Sequence, residues 1–254
     1  MRAKNRWSVA ISLGLLLGFL ALWEGIVQGF HLPRYILPPP SRILGEAVMH
    51  LPRYGPHILT TLGEMLLGIA LAYAVALPLA LIMVRFPLVE RALFPLLIGS
   101  QAVPVFALAP LLVLWFGYGI PSKVAMASLI VFFPVVVNTR DGLRAADPDL
   151  VALLKSMGAS EAQIFRKVRV YAALPYLFSG TRIAVSVSTI GAVIGEWVGS
   201  TRGLGYLMLH ANAQLRVDVV FVAILYLTIL GVGLFYLVSA IERWVLPWYR
   251  PSSP

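Results

Sequence analysis

The sequence predicts an all-α polytopic membrane protein with about six spanning helices. Three observations carry this reading. First, 59% of the 254 residues are hydrophobic and 12% are charged, whereas a soluble domain carries about 25% charged residues. The mean hydropathy is +0.86. Second, the apolar residues fall into runs near the length that crosses a bilayer, about 20 residues. Third, the polar residues gather between those runs. The net charge of +9 therefore sets topology and meets lipid headgroups, and does not point to nucleic acid. There is no cysteine, which excludes disulfides, thiolate metal sites and a cysteine nucleophile.

The expected spans are 8–29, 58–84, 92–117, 122–138, 174–199 and 219–242. The first follows a basic stretch, Met1 to Arg6, and is too long for the apolar core of a cleaved leader. It reads as an uncleaved extra N-terminal helix. Segment 31–56 opens on Pro38-Pro39-Pro40, after which Ser41 is expected to cap a short surface helix with Ile43, Leu44, Ala47, Val48 and Leu51 on one face. The third span is interrupted by Pro104 and Pro110, and the fourth carries Pro134, so both are expected to be kinked. His210 and Asn212 are expected in a loop after Gly203-Leu204-Gly205. Placing the N-terminus inside puts fourteen Lys and Arg on the inner side and six, Lys123 among them, on the outer side. The positive-inside rule then puts both termini in the cytoplasm.

One polar loop, about 139–174, is long and lies on the inner side. Asp147-Pro148-Asp149 is a helix opening: a cap, a proline at the first helical position, and an acid at the positive end of the dipole. Leu150, Leu153, Leu154 and Met157 share one helical face. Gly158 stops the helix. Ser160 and Gln163 form a capping box for a second helix with Ile164, Phe165 and Val168 on its apolar face. From pattern alone the loop is either an interfacial hairpin or a protruding elbow whose tip, Met157 to Glu161, enters a groove on a partner.

At these residues the sequence resembles the membrane permeases of bacterial ABC importers. The family's loop signature aligns on Gly158, although Ala152-Leu153-Leu154 and Val168 to Tyr171 depart from its usual residues. Ala173-Leu174-Pro175 and Ser179 to Arg182 are similar to the family's return into the membrane. The resemblance covers nearly the whole chain. It is closest to the nitrate, sulfonate and taurine subgroup, through Ser100 to Pro104, Ala109 to Gly119, Phe133 to Asn138 and Gly195 to Gly199. The run Gly203 to Ala213 is most similar to permeases for the hydroxymethylpyrimidine precursor of thiamine.

The resemblance implies a single permease domain over 1–254, with the family core at about 57–243 and a coupling loop at 139–174. It implies a homodimer in the bacterial inner membrane. It also implies two cytoplasmic ATPase subunits and an extracytoplasmic binding protein. Leu154, Met157, Gly158, Ala159, Ser160, Glu161 and Phe165 would form the ATPase-coupling surface. ATP and Mg would be used by the partner ATPase, because this chain has no phosphate-cradling Gly-x-x-x-x-Gly-Lys-Ser/Thr loop and no cofactor of its own is expected.

Candidate path or gate residues are Ser100, Gln101, Pro104, Glu64, Glu196 and Trp197. A carboxylate within a span costs several kcal/mol by order of magnitude unless it is paired or wet, which singles out Glu24, Glu64 and Glu196. Glu24 sits near the outer end of its helix. Glu196 is either a gate group or a buried contact to a backbone amide. Ser100 and Gln101 either meet a polar solute or satisfy the broken backbone. Gly191, Gly195 and Gly199, with Ser188 and Ala184, form a small-residue stripe for helix packing, within the chain or between copies. The histidines lack ligand spacing, so no metal site is expected, and no catalytic constellation is visible. Because no Lys or Arg reads as deep in a span, a neutral heterocycle such as a thiamine pyrimidine precursor is favoured, with nitrate, sulfonate, taurine or riboflavin as the alternative. Riboflavin permeases belong to the same subgroup. The rival function is an ion-gradient-driven secondary transporter using Glu64 or Glu196, and a third reading is a membrane scaffold.

Overall fold

A computed structural model describes residues 2–249, with side chains from Ile11 onward. Arg250 and the side chains of Arg2, Lys4 and Arg6, which enter the charge asymmetry, lie outside the described residues. Every long element is helical. The helices are α1 (Arg2–Gly29), α2 (Pro40–Met49), α3 (Leu51–Arg85), α4 (Pro87–Ser100), α5 (Ala109–Phe116), α6 (Ile120–Arg144), α7 (Pro148–Ser156), α8 (Glu161–Ile164), α9 (Val170–Gly199), α10 (Leu204–Ala213) and α11 (Val217–Val245). Among the described residues, five helices are long and apolar enough to cross a membrane, or six with the bent α4–α5 pair.

Helix α6 is the axis of the bundle, packed along α3 on one flank and α9 on the other. In lipid, apolar side chains gain little by leaving one apolar medium for another, so close backbone approach must hold helices together. The sequence supplies it with small residues. A Cβ added at Gly68 on α3 would lie 2.5 Å from the Ala127 Cβ, and one at Gly191 on α9 would lie 2.7 Å from the Ala127 Cα. Ala127 is thus gripped from both sides. The α9 stripe continues through Gly180, set against Asn138 and Pro134, and Gly195, set against Lys123. Gly199 ends the stripe beside Val113 of α5. Around this seam Ala72, Ala76, Met83, Val131, Val135 and Ala184 form the main core.

A second core gathers Ile43 and Ala47 of α2, Tyr54 of α3, Ala211 of α10, and Val219 and Val222 of α11. Trp23 is the α1 residue that packs on it. From Ile11 onward the rest of α1, Val27 apart, is almost wholly exposed on this chain.

Several expectations change. The third span is two arms, not one kinked helix: α4 and the stretch Val105–Phe116 are bent by 91°. Pro104 adopts an extended conformation and lacks an N–H, and Pro110 restarts the helix near its first position. By contrast α6 stays helical through Pro134 and runs to Arg144, beyond the expected end. The second elbow helix does not close before the membrane. It passes through a π-helical turn at Phe165–Arg169 directly into α9, which remains helical through Pro175. Ser41 does not cap α2. Its backbone N–H and hydroxyl both donate to Glu24 of α1, at 3.0 and 2.8 Å, so the cap comes from another helix. His210 and Asn212 lie in α10, not in a loop.

If the grip on Ala127 sets the bundle, Gly191→Leu should destabilise the protein by about 1–3 kcal/mol through overpacking. Gly233→Leu, where nothing lies within 4 Å of an added Cβ, should not. Thermal unfolding in detergent reads the difference, and equal melting temperatures would refute the seam.

Candidate functional site

The elbow is built from local sequence signals. The Asp147 carboxylate accepts the Asp149 N–H at 2.9 Å, and Pro148 opens α7. The helix closes with Met157 N–H on the Leu153 carbonyl and Ala159 N–H on the Leu154 carbonyl. Gly158 adopts φ +81°, a conformation glycine reaches without the Cβ penalty. Ser160 and Gln163 complete the reciprocal capping box, at 3.3 and 2.8 Å. Lys155 and Glu161 form an ion pair at 2.7 Å across the turn.

The result is a short, internally bonded corner. Met157, Gly158, Ser160 and Glu161 are exposed at its tip, Ala159 is half-buried, and Leu154 and Phe165 are half-buried behind it. Buried Ile164 and Val168 hold the second arm. Met157 presents a large apolar side chain 74% exposed, at the corner of two capped helices. Such a tip suits insertion into a partner's groove.

At the opposite end of the bundle, a buried polar knot joins α3, α6, α9 and α10. The Glu196 carboxylate accepts the Thr61 hydroxyl at 2.6 Å, the Gly205 N–H at 2.5 Å and the Tyr206 N–H at 3.2 Å. The Leu204 N–H donates to Thr61 Oγ1 at 2.9 Å. These N–H groups are the unsatisfied first turn of α10, so a carboxylate on α9 and a hydroxyl on α3 cap it in place of its own residues. Gly203 has φ +121°, and a Cβ there would collide with the Glu196 carboxylate. Glu64 pairs with Lys123 at 3.1 Å, and the Lys123 ammonium also donates to Ser200 Oγ at 2.7 Å. Thr61, Glu64, Lys123 and Glu196 are all buried.

This arrangement revises the reading of the acidic residues. Glu64 and Glu196 are both buried; Glu196 is hydrogen-bonded within the chain, whereas Glu64 has the Lys123 ion pair and no hydrogen-bond partner among the described residues. Glu196 is a contact to backbone amides. Lys123 is not a surface residue: it is buried in the first turn of α6 and matched by Glu64. Glu24 is occupied by Ser41 and by Gln28, the latter at 2.7 Å.

The remaining candidates lie elsewhere. Ser100, Gln101 and Pro104 sit exposed at the right-angle break between α4 and α5. The Ser100 hydroxyl donates to the Leu97 carbonyl at 2.7 Å, so it serves the local backbone, while Gln101 keeps an exposed amide. Trp197 is half-exposed on α9 next to the knot. Sequence reasoning missed Thr61 and the ionic groups Glu90, Arg140 and Arg144 at the elbow end. A threonine one turn before Glu64 and an i, i+4 arginine pair ending a span were the available signals.

Residues 64–247 match the family described as binding-protein-dependent transport system inner membrane component. The chain belongs to that family. The permease is 44% identical over 217 residues to a probable ABC transporter permease protein of Haemophilus influenzae, covering 85% of this chain and 89% of that one. It is 39% identical over 232 residues to a formylaminopyrimidine transport permease protein of Halalkalibacterium halodurans, with 91% and 92% covered. It is 37% identical over 242 residues to a riboflavin transport system permease protein of Chloroflexus aurantiacus, with 93% and 90% covered. Its fold is that of a chain in an inward-facing structure of the MetNI methionine ABC transporter, at TM-score 0.66 and 20% identity, covering 74% of the permease and 94% of that chain. The permease is therefore an inner-membrane transport subunit.

The knot predicts a specific sensitivity. Thr61→Val removes a donor to the buried Glu196 carboxylate and the acceptor for Leu204 N–H, and should cost about 1–3 kcal/mol. Thr61→Ser keeps the hydroxyl and should restore most of it. Unfolding curves that rank valine level with serine would show that these bonds do not hold α10.

Proposed function

We propose that the permease works as a pair within an ATP-driven importer and translocates a small uncharged heterocycle, best matched by a pyrimidine precursor of thiamine. An ATPase subunit takes the elbow tip of each copy, which places the elbow end of the bundle and both termini in the cytoplasm. An extracytoplasmic binding protein delivers solute to the opposite end. ATP and Mg act on the ATPase, not on this chain. The observation that carries the reading is the elbow: a bonded helix–glycine–helix corner with an exposed apolar tip, held to a spanning helix without a break. Closure of the two ATPases would move the corners as rigid bodies.

Two observations support the solute class. The relative at 39% identity over 91% of this chain is named for formylaminopyrimidine transport. The buried cation Lys123 is neutralised by Glu64, leaving it no charge to offer an anion. Family members named for riboflavin, taurine and aliphatic sulfonates define the alternatives. A secondary transporter would instead use Glu64 or Glu196 as a proton carrier; membership of the binding-protein-dependent family supports the importer over it.

Reconstituted in vesicles with its ATPase and binding protein, the permease should accumulate labelled aminopyrimidine only with ATP. Uptake of taurine or riboflavin in preference would replace the solute, and uptake persisting without the ATPase would sink the importer reading.

Gly158→Pro forces φ near −65° where the corner needs +81°. The variant should insert normally but bind the ATPase at least tenfold more weakly, a loss of about 1.4 kcal/mol. Co-purification with the ATPase checks this, and wild-type binding would count against the elbow.

A further inference from the structure

Glu90 stands in the first turn of α4, at the elbow end, and is buried. Its Oε1 accepts Arg140 Nε at 2.7 Å, and Arg140 Nη2 pairs with the same oxygen. Its Oε2 accepts Arg144 Nη2 at 2.5 Å. Arg140 Nη1 donates to Asp141 at 2.6 Å, and the guanidinium lies 4.1 Å from the centroid of the Phe94 ring, one turn further along α4. Two arginines from successive turns of α6 therefore hold one carboxylate of α4, with Asp141 balancing the second positive charge.

The position of this fork matters more than its strength. Breaking a buried ion pair is costly, yet replacing it with apolar residues is often neutral, so burial alone says little about why charges stand there. What a fork of guanidiniums adds is direction: each N–H···O bond fixes orientation as well as distance. On one side of the fork, residues 145–147 lead straight from Arg144 into α7, the first arm of the elbow. On the other side, α4 runs about 15 Å from Glu90, at 1.5 Å per residue, to the right-angle break at Ser100, Gln101 and Pro104. α4 packs on α3 and sends Phe94 and Leu97 into the main core. The Glu90 fork is its charged tie to the helix that carries the elbow.

We propose that Glu90 is a positioning residue that transmits displacement of the elbow to the broken α4–α5 helix, with Arg140 and Arg144 as its grips on α6. This rests on the reading of the elbow as the ATPase-docking corner. A shift of the corner moves the last turn of α6. The fork then carries α4 with it, because rotation of the arginines alone would leave the buried carboxylate unpaired.

The test compares wild type, Glu90→Gln, Glu90→Asp and Arg144→Gln in vesicles with the ATPase and binding protein. It reads ATPase binding, ATP hydrolysed and solute moved per ATP. A spin label at exposed Ala102 reports motion at the break. Glu90→Gln should bind the ATPase as wild type does and still hydrolyse ATP. Its solute moved per ATP should fall about tenfold, and the ATP-dependent shift at position 102 should be lost. Glu90→Asp should recover part of both. Arg144 is half-exposed, so Arg144→Gln buries no unpaired arginine and carries the test if Glu90→Gln fails to insert, with the same direction of effect. Solute per ATP unchanged in both variants overturns the proposal. So does a proportional loss of ATPase binding, hydrolysis and transport, which would mark a merely structural contact. Failure of the wild-type chain to bind the ATPase would instead remove the elbow reading on which the proposal stands.

Discussion

Everything else in the bundle is hung on the approach of α3 and α9 to Ala127. Gly68 and Gly191 bring two backbones against the same residue of α6, and no larger side chain fits between them. A membrane helix gains little from burying leucine against leucine, since lipid already provides an apolar surrounding. Dispersion across a tight seam is what remains. The seam fixes α6 in both rotation and height. That in turn decides where its two polar ends fall, Lys123 at one and Arg140 and Arg144 at the other.

The polar ends solve a common problem differently. Far from the elbow, the charges are sealed from the surface: Glu196 and Thr61 satisfy each other and the first turn of α10, and Glu64 is held by its ion pair with Lys123. An unpaired group there would carry the full cost of desolvation. Near the elbow the charges are half in water, with Arg144 and Asp141 exposed beside a buried Glu90. A sealed knot resists rearrangement, while the fork, open to water at Arg144, can move with the elbow as one piece. This asymmetry accords with an anchored far end and a moving elbow end.

The elbow was the most legible part of the sequence because its signals are local. Asp147-Pro148, Gly158 and the Ser160–Gln163 box each act within a few residues, and the structure shows each bond. The spans were legible from length and hydropathy, and the small-residue stripe from its spacing. What the sequence hid was pairing between distant positions. Lys123 read as a loop-end cation without a partner in view because Glu64 lies on another helix. Ser41 read as a cap because nothing local reveals that Glu24, seventeen residues earlier, accepts both the N–H and the hydroxyl of Ser41. Pro104 and Pro134 look alike in sequence. One sits at a right-angle turn and the other inside a continuous helix, and tertiary packing decides between those outcomes.

The link between Glu24 and Ser41 bears on local stability. Among its described side chains, from Ile11 onward, α1 meets the rest of this chain through that cap, through Trp23 against Phe221 and through buried Val27, with little else buried. Opening free energy follows buried contact and protected hydrogen bonds, so the chain is graded. The α3–α6–α9 seam would be the last part to open. α1 would be the first, able to detach as a unit while the core keeps its shape.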